Sequence, residues 1–227
     1  MRRVLVLGGS ALTEDAVRTL AAAGHAVSVY WSRDADVPGL PTAPSLRVAL
    51  EVADLVVDAT HPFDDGLRAI AFTLAPECAR VRLGRSAWVA TQRDRWVEVN
   101  TLAEAVAAIP SGARVFAASG RDSEDLLTHH DGPVFLRQLH RHDGTPPPGC
   151  TYVFGEGPFE VVDEMALFQD LKIEVLLARN MGGVRGFPKL AAARALGLIS
   201  VLIKPPVPEF ETQFEHVEAL LAWIRTS

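Results

Sequence analysis

The strongest constraint on this chain is an alternation. Apolar runs of four to six residues take turns with stretches of helical periodicity along nearly all of its 227 residues. That is the pattern of βαβ units feeding a parallel sheet. Strand-like runs fall at residues 4–7, 27–31, 55–58, 81–83 and 96–99, then at 115–118, 134–137, 152–154, 175–178 and 200–203. Helical patterns occupy 13–23, 65–74, 102–109, 161–168, 189–196 and 214–225. The segment HRHDGTPPPGC is the richest in turn formers and reads as a surface loop. Ten strands suit two sheets better than one. The expected architecture is therefore α/β: two Rossmann-like lobes with largely parallel sheets and an interlobe cleft, the first over 1–105 and the second over 106–227.

Composition narrows the function classes. Hydrophobic residues make up 48% and charged residues 22%, as in ordinary soluble globular chains. No run reaches the roughly 18 apolar residues that cross a bilayer, and Arg2-Arg3 leads into a strand too short for a signal-peptide core. Cys78 and Cys150 fit no metal or redox spacing, so the expectation is a cytoplasmic protein without a membrane. A net charge of −6 argues against general nucleic-acid binding. It leaves room for a local basic pocket that takes an anionic small molecule.

The first βα unit, VLVLGGSALTEDAVRTLAAAGHAVSVYWSRD, starts like a dinucleotide-binding fold with an altered glycine series of Gly8, Ser10 and Thr13. Gly8-Gly9-Ser10 before a helix places backbone N–H groups where a helix dipole favours phosphate. A plain tight turn explains the glycines equally well. The end of the second strand adds Ser32 and Arg33, a hydroxyl and a guanidinium suited to the 2′-phosphate of NADP, against the alternative of a solvated turn. Together they read as an NADP site. In VVDATHPFDD, Thr60, His61 and Pro62 follow the third strand, where open α/β sheets bind ligands. Helix capping by Thr60 or Asp64 is the competing reading. Further anion-binding candidates are Arg82 and Arg85 in VRLGRSAW, Ser119 and Arg121 in AASGRDSEDL, Arg179, Asn180, Gly182 and Lys189 in ARNMGGVRGFPKL, and Lys204 in IKPP.

Taken together, LGGS, VVDATHP, RLGRSAW, ASGR, GEGPFEVVDE and NMGG…PKLAAARALGLISVLIKPP make the chain resemble the precorrin-6A reductase family of cobalamin biosynthesis. The resemblance runs in order over almost the whole chain, with DATHP and EGPF as its most specific parts. Departures lie at Arg179-Asn180-Met181, Arg85-Ser86 and Lys204-Pro205, where the family usually has Lys-Asp-Ser, Arg-Pro and Arg-Pro. The resemblance implies a cytoplasmic, NADPH-dependent reduction of one macrocycle double bond of precorrin-6A to give precorrin-6B, or reduction of the cobalt-containing analogue. It implies a polycarboxylate tetrapyrrole as partner, transient contact with neighbouring pathway enzymes, and Arg85, Ser119, Arg121, Arg179, Asn180, Gly182, Lys189 and Lys204 around the substrate. It names no proton donor.

Three other readings compete. A short-chain dehydrogenase needs Tyr-x-x-x-Lys, but Asp34 and Glu156 stand four residues after Tyr30 and Tyr152. A metal site on His140 and His142, with His129 and His130 nearby, is disfavoured by the proline-rich loop beside it. A non-catalytic NADP-sensing or precorrin-binding module would keep the same anion sites and leave the cofactor idle.

Overall fold

The computed structural model describes residues 1–32, 39–64, 66–120, 123–206 and 212–226. In chain order its elements are β1 (Arg3–Gly8), α1 (Thr13–Ala22), β2 (Ala26–Trp31), α2 (Leu46–Val52), β3 (Leu55–Ala59), α3 (Gly66–Leu74), β4 (Arg80–Leu83) and β5 (Trp96–Val99). They continue through α4 (Leu102–Ala108), β6 (Val115–Ala118), α5 (Glu124–Leu127), β7 (Val134–Gln138), β8 (Cys150–Phe154) and α6 (Val161–Asp170). The last are β9 (Val175–Arg179), α7 (Pro188–Leu196), β10 (Ile199–Ile203), β11 (Gln213–Phe214) and α8 (Val217–Thr226). All ten strands read from the sequence are present within a residue or two of their expected ends.

Two compact units result, one from residues 1–85 with 206–227 and one from residues 86–205. The first holds a parallel sheet in the order β11-β4-β3-β1-β2. Its strands are covered on both faces, as parallel sheets require. Alternation along β1 sends Val4 and Val6 to one face, with Ala16, Val17 and Leu20 of α1 and Leu220 and Ile224 of α8. Leu5 and Leu7 go to the other face, with Leu46 and Leu50 of α2 and Leu67 and Ala71 of α3. Helix α1 turns toward the sheet because Thr13, Ala16, Val17 and Leu20 recur at helical spacing and are its buried residues.

The second unit holds a six-stranded parallel sheet, β5-β10-β9-β6-β7-β8. Phe116, Phe168, Leu176, Leu190 and Leu202 fill one of its cores. Helix α7 is bounded by the residues expected of it, with Pro188 in its first turn and Gly197 at φ 70° as its left-handed stop.

The division expected after residue 105 falls instead after Arg85 and again after Pro205. β5 pairs with β10, so residues 96–99 belong to the second sheet, while α8 returns to the first core. The helix expected over 214–225 begins at Val217, because Phe214 extends as an edge strand beside Leu83 of β4. Two short helices, α2 and α5, were not foreseen.

Candidate functional site

In strand number, the first sheet runs 2-1-3-4-5, with β11 as the fifth strand. Connections therefore leave β1 and β3 in opposite directions, and the crevice at their carboxyl ends is where this topology takes ligands. Gly8, Gly9, Ser10, Thr60, His61 and Pro62 all stand there. The glycines are required by close approach. A Cβ on Gly8 would lie 2.7 Å from the Trp31 ring, and one on Gly9 would lie 2.9 Å from Ser32 Oγ and 3.1 Å from His61 N. The turn thus brings the ends of three neighbouring strands into contact.

Thr13 ties this turn from below. Its buried hydroxyl accepts from the N–H groups of Gly9 (3.2 Å) and Ser10 (3.3 Å) and donates to the Ala59 carbonyl (3.3 Å). Ser10 N–H also donates to Ala59 O at 3.0 Å. Thr13 is therefore a scaffold for the turn, while Ser10 is only partly buried. Ser10 Oγ accepts from Leu12 N–H at 3.3 Å, which keeps its own proton available for donation. Ser32 is held beside Gly9, its N–H on Gly8 O at 3.1 Å. Arg33 lies outside the described residues.

Beneath Thr60 is a buried ionic cluster that the sequence did not reveal. Asp58 is fully buried, and its Oδ2 accepts from Arg68 Nε at 2.5 Å and Arg82 Nη1 at 2.6 Å. Its Oδ1 accepts from Thr60 N–H at 2.9 Å. The Thr60 hydroxyl accepts from Arg68 (2.9 Å) and Arg82 (3.2 Å), and the Thr60 carbonyl also accepts from Arg82 (3.2 Å). Arg82 is therefore a strut for the loop after β3, not the anion ligand expected from its sequence. Burial pushes the Asp58 carboxyl up, but Arg82, Arg68 and the hydrogen bonds outweigh it and hold it below the usual carboxylate range. Burial also pulls the Arg82 guanidinium below its ordinary value, against the attraction of Asp58. His61 caps the same loop: its Nδ1 accepts from Phe63 N–H at 3.2 Å.

In the second unit Ser119, Arg179, Asn180 and Lys204 lie at or just past the carboxyl ends of β6, β9 and β10, as read from the sequence. Their side chains differ in availability. Ser119 is buried with its hydroxyl 2.7 Å from that of Ser123, which donates to Gly120 O. Asn180 is buried too, and its amide clamps the backbone of Trp88, accepting from Trp88 N–H at 2.7 Å and donating to Trp88 O at 2.8 Å. Gly182 is buried at φ 65°, in the left-handed region. Lys204 and, in the first unit, Arg85 are exposed. Arg121 lies outside the described residues.

Lys189 is the expected residue that lines a cavity. About 190 Å3 of space lies among Lys189, Arg137, Arg185, Glu164, Phe159 and neighbouring apolar groups. Arg137 and Glu164 pair at 2.6 Å, both side chains more than nine-tenths buried. Lys189 Nζ donates to Gly186 O at 2.7 Å, and its burial lowers the ammonium to about 8. Arg137 escaped the sequence reading because it sits inside the apolar run VFLRQ, and an arginine within a strand carries no motif. The interruption itself was the available signal, since a charge in a buried strand needs a partner.

The chain is similar to known proteins over nearly its full length. The family model described as precorrin-6x reductase CbiJ/CobK matches residues 3–225. A precorrin-6A reductase of Rhodococcus erythropolis is 33% identical over 248 residues, covering 100% of this chain and 98% of the relative. One of Rhodobacter capsulatus is 34% identical over 248 residues, covering 99% and 96%. The solved structure of a CobK precorrin-6A reductase matches with a TM-score of 0.81 at 31% identity, over 100% of this chain and 97% of that one. Residues 3–225 thus carry both the sequence pattern and the fold of one group of proteins, and the chain belongs to the precorrin-6x reductase CbiJ/CobK family.

Proposed function

We propose that the protein is a precorrin-6A reductase that uses NADPH to reduce one double bond of the macrocycle, giving precorrin-6B in the cytoplasm. The observation that carries this reading is the near-complete match of the chain to precorrin-6A reductases at about one-third identity.

The crevice of the first unit fits a nicotinamide dinucleotide on two counts. Its glycine turn packs so closely on Trp31, Ser32 and His61 that the ends of three strands converge at one crevice. The buried indole N–H of Trp31, at the end of β2, has no acceptor among the described residues. The Gly8-Gly9-Ser10 turn would hold the phosphates through the Ser10 hydroxyl, since the N–H groups of Gly9 and Ser10 are bonded to Thr13 and Ala59. Ser32 and Arg33 would take the 2′-phosphate, and Thr60, His61 and Pro62 would form the wall of the crevice. The bound cofactor supplies the hydride. The chain's part is positioning: the Asp58–Arg68–Arg82 cluster fixes the Thr60-His61 loop, and Thr13 fixes the glycine turn. Reduction also consumes a proton, so NADPH and H⁺ yield NADP⁺ and a product two hydrogens heavier than the substrate. Arg85, Arg121, Arg179, Lys189 and Lys204 supply the cationic charge that a polycarboxylate substrate requires, with Ser119, Asn180 and Gly182 shaping the strand ends that present it.

The test is loss of NADPH absorbance on adding precorrin-6A, with the product identified by mass. NADH and the cobalt-containing macrocycle are run alongside. Arg33→Ala should weaken NADPH by about 1.5–3 kcal/mol and leave NADH unaffected. Absence of macrocycle-dependent NADPH oxidation would leave only a sensing or carrier role.

A further inference from the structure

Two adjoining recesses of the second unit are not explained by fold stability. The first is the cavity of about 190 Å3 beside Arg137, Arg185 and Lys189. The second, about 330 Å3, is apolar and lined by Trp88, Val161, Val184, Phe187 and Pro188. Pro188 borders both.

The charges in the first recess do not balance. Three cations line it with one acid, Glu164, and that acid is already bound to Arg137 Nη2. The Arg137 guanidinium lies between two aromatic rings, 4.9 Å from the Phe116 centroid and 4.4 Å from that of Phe159. Its buried Nε has no hydrogen-bond partner among the described residues. Lys189 hydrogen-bonds a neutral carbonyl and sits 5.6 Å from the Trp88 ring. Arg137 and Lys189, both largely removed from water, thus share the single carboxylate of Glu164, while Arg185 stands exposed at the rim. Desolvated cations short of counter-charge are unfavourable, so the arrangement is complementary to an anion. The remaining walls, Leu139, Phe159 and Ala118 among them, are apolar and suit methylene groups next to that anion.

The second recess is built around one indole. Asn180 clamps the Trp88 backbone, and Trp88 Nε1 donates to Gly183 O at 2.9 Å. A Cβ at Gly186 would lie 3.0 Å from the same ring, so glycine there lets Trp88 close against Lys189. Phe187 stands 6.1 Å from Trp88, centroid to centroid. An apolar shelf thus meets a cationic recess at Pro188.

We propose that this pair of recesses is a docking place for the macrocycle: one carboxylate-bearing side chain enters between Arg137, Arg185 and Lys189, and the ring's apolar face covers Trp88 and Phe187. The proposal rests on the reductase reading for the identity of the ligand. Its charge chemistry would also admit a phosphate of the cofactor, and the experiment separates the two.

Lys189→Met keeps the apolar stem and breaks no ion pair, and the double variant Arg137→Gln/Glu164→Gln removes a cation together with its buried acid. Binding of precorrin-6A without cofactor is followed by quenching of tryptophan fluorescence, and KM is measured for both substrates, with a thermal melt of each variant. The expected result is a rise of roughly ten- to a hundredfold in Kd and KM for precorrin-6A with Lys189→Met, smaller at high salt, and an unchanged KM for NADPH. A rise for NADPH alone would assign the recess to a cofactor phosphate and overturn the proposal. Unchanged values for both would overturn it as well. If the wild-type protein binds precorrin-6A without oxidising NADPH, the reductase reading falls and the binding titration still decides the docking site. Should the double variant melt early, Lys189→Met alone decides between the two ligands.

Discussion

Replacing Asp58 by asparagine tests the ionic cluster under the loop after β3. The substitution preserves shape and one acceptor for Thr60 N–H, but puts an amide where Oδ2 now meets Arg68 at 2.5 Å and Arg82 at 2.6 Å. Both arginine side chains are only 6% exposed, so water cannot replace the lost charge. Removing one partner of such a buried pair costs about 3–5 kcal/mol. At about 2–4 °C per kcal/mol for a chain of this size, that is a drop of roughly 6–20 °C in Tm. Because the chain has two units, the melt must report on the first. Trp31 and Trp223 belong to it and Trp88 and Trp96 to the second, so a Trp88→Phe/Trp96→Phe background isolates the signal. The pH dependence has a definite sign. Asp58 is held below its ordinary 3.8, so its contribution is present above that value and is lost as pH falls through the lower folded value. The gap between wild type and Asp58→Asn should be full at neutral pH and close in acid. Methionine at positions 68 and 82 together with Asp58→Asn should recover most of the stability. A loss under about 1 kcal/mol at neutral pH, the value of a surface pair, would refute the reasoning. So would a gap that persists unchanged in acid.

Three further outcomes are expected. Gly9→Ala should impair NADPH binding more than stability, because its Cβ would press on Ser32 Oγ and His61 N at the crevice; KM for NADPH against Tm checks this. Asn180→Ala removes both hydrogen bonds to the Trp88 backbone and should cost about 1–3 kcal/mol in a thermal melt, with KM raised for the macrocycle and not for NADPH. Lys189→Met should melt higher than wild type at neutral pH, since folding lowers the ammonium from 10.5 to about 8 and so penalises the charged form. That advantage is full below about pH 8 and should fade as pH rises toward 10.5, which paired melts would follow.

Strand positions were legible because each is a short apolar run whose burial nothing else in the sequence could satisfy. β5 and β6 were read to the residue. β11 was not, because its two residues, Gln213 and Phe214, carry no alternation, and the latter looks like the start of the amphipathic pattern of α8. The glycine turn was legible as a turn, yet the direction of its hydroxyls was not. Thr13 and Ser10 are both polar residues near a helix start, and only the position of Ala59 O decides that Thr13 points inward. Similarly, Thr60 and Asn180 were correctly placed at strand ends, but their partners are Arg82 and Trp88, 22 and 92 residues away in sequence. Long-range pairing of this kind leaves no local trace. Asp58 within the buried run LVVDA was the one visible hint, because a carboxylate there demands cations from somewhere.

The first unit is discontinuous: its strands β1 to β4 are made first, and its edge strand and final helix follow only after residue 205. On a ribosome the stretch from Ser86 to Pro205 is contiguous and can close its own sheet as it emerges. Residues 1–85 cannot. Until α8 arrives, the face of β1 and β3 bearing Val4, Val6, Leu55 and Val57 lacks Val217, Leu220 and Ile224, and β4 lacks its neighbour. The half of the molecule synthesised first is therefore the half finished last. During that interval it presents an open strand edge and an apolar face, the combination by which nascent chains aggregate.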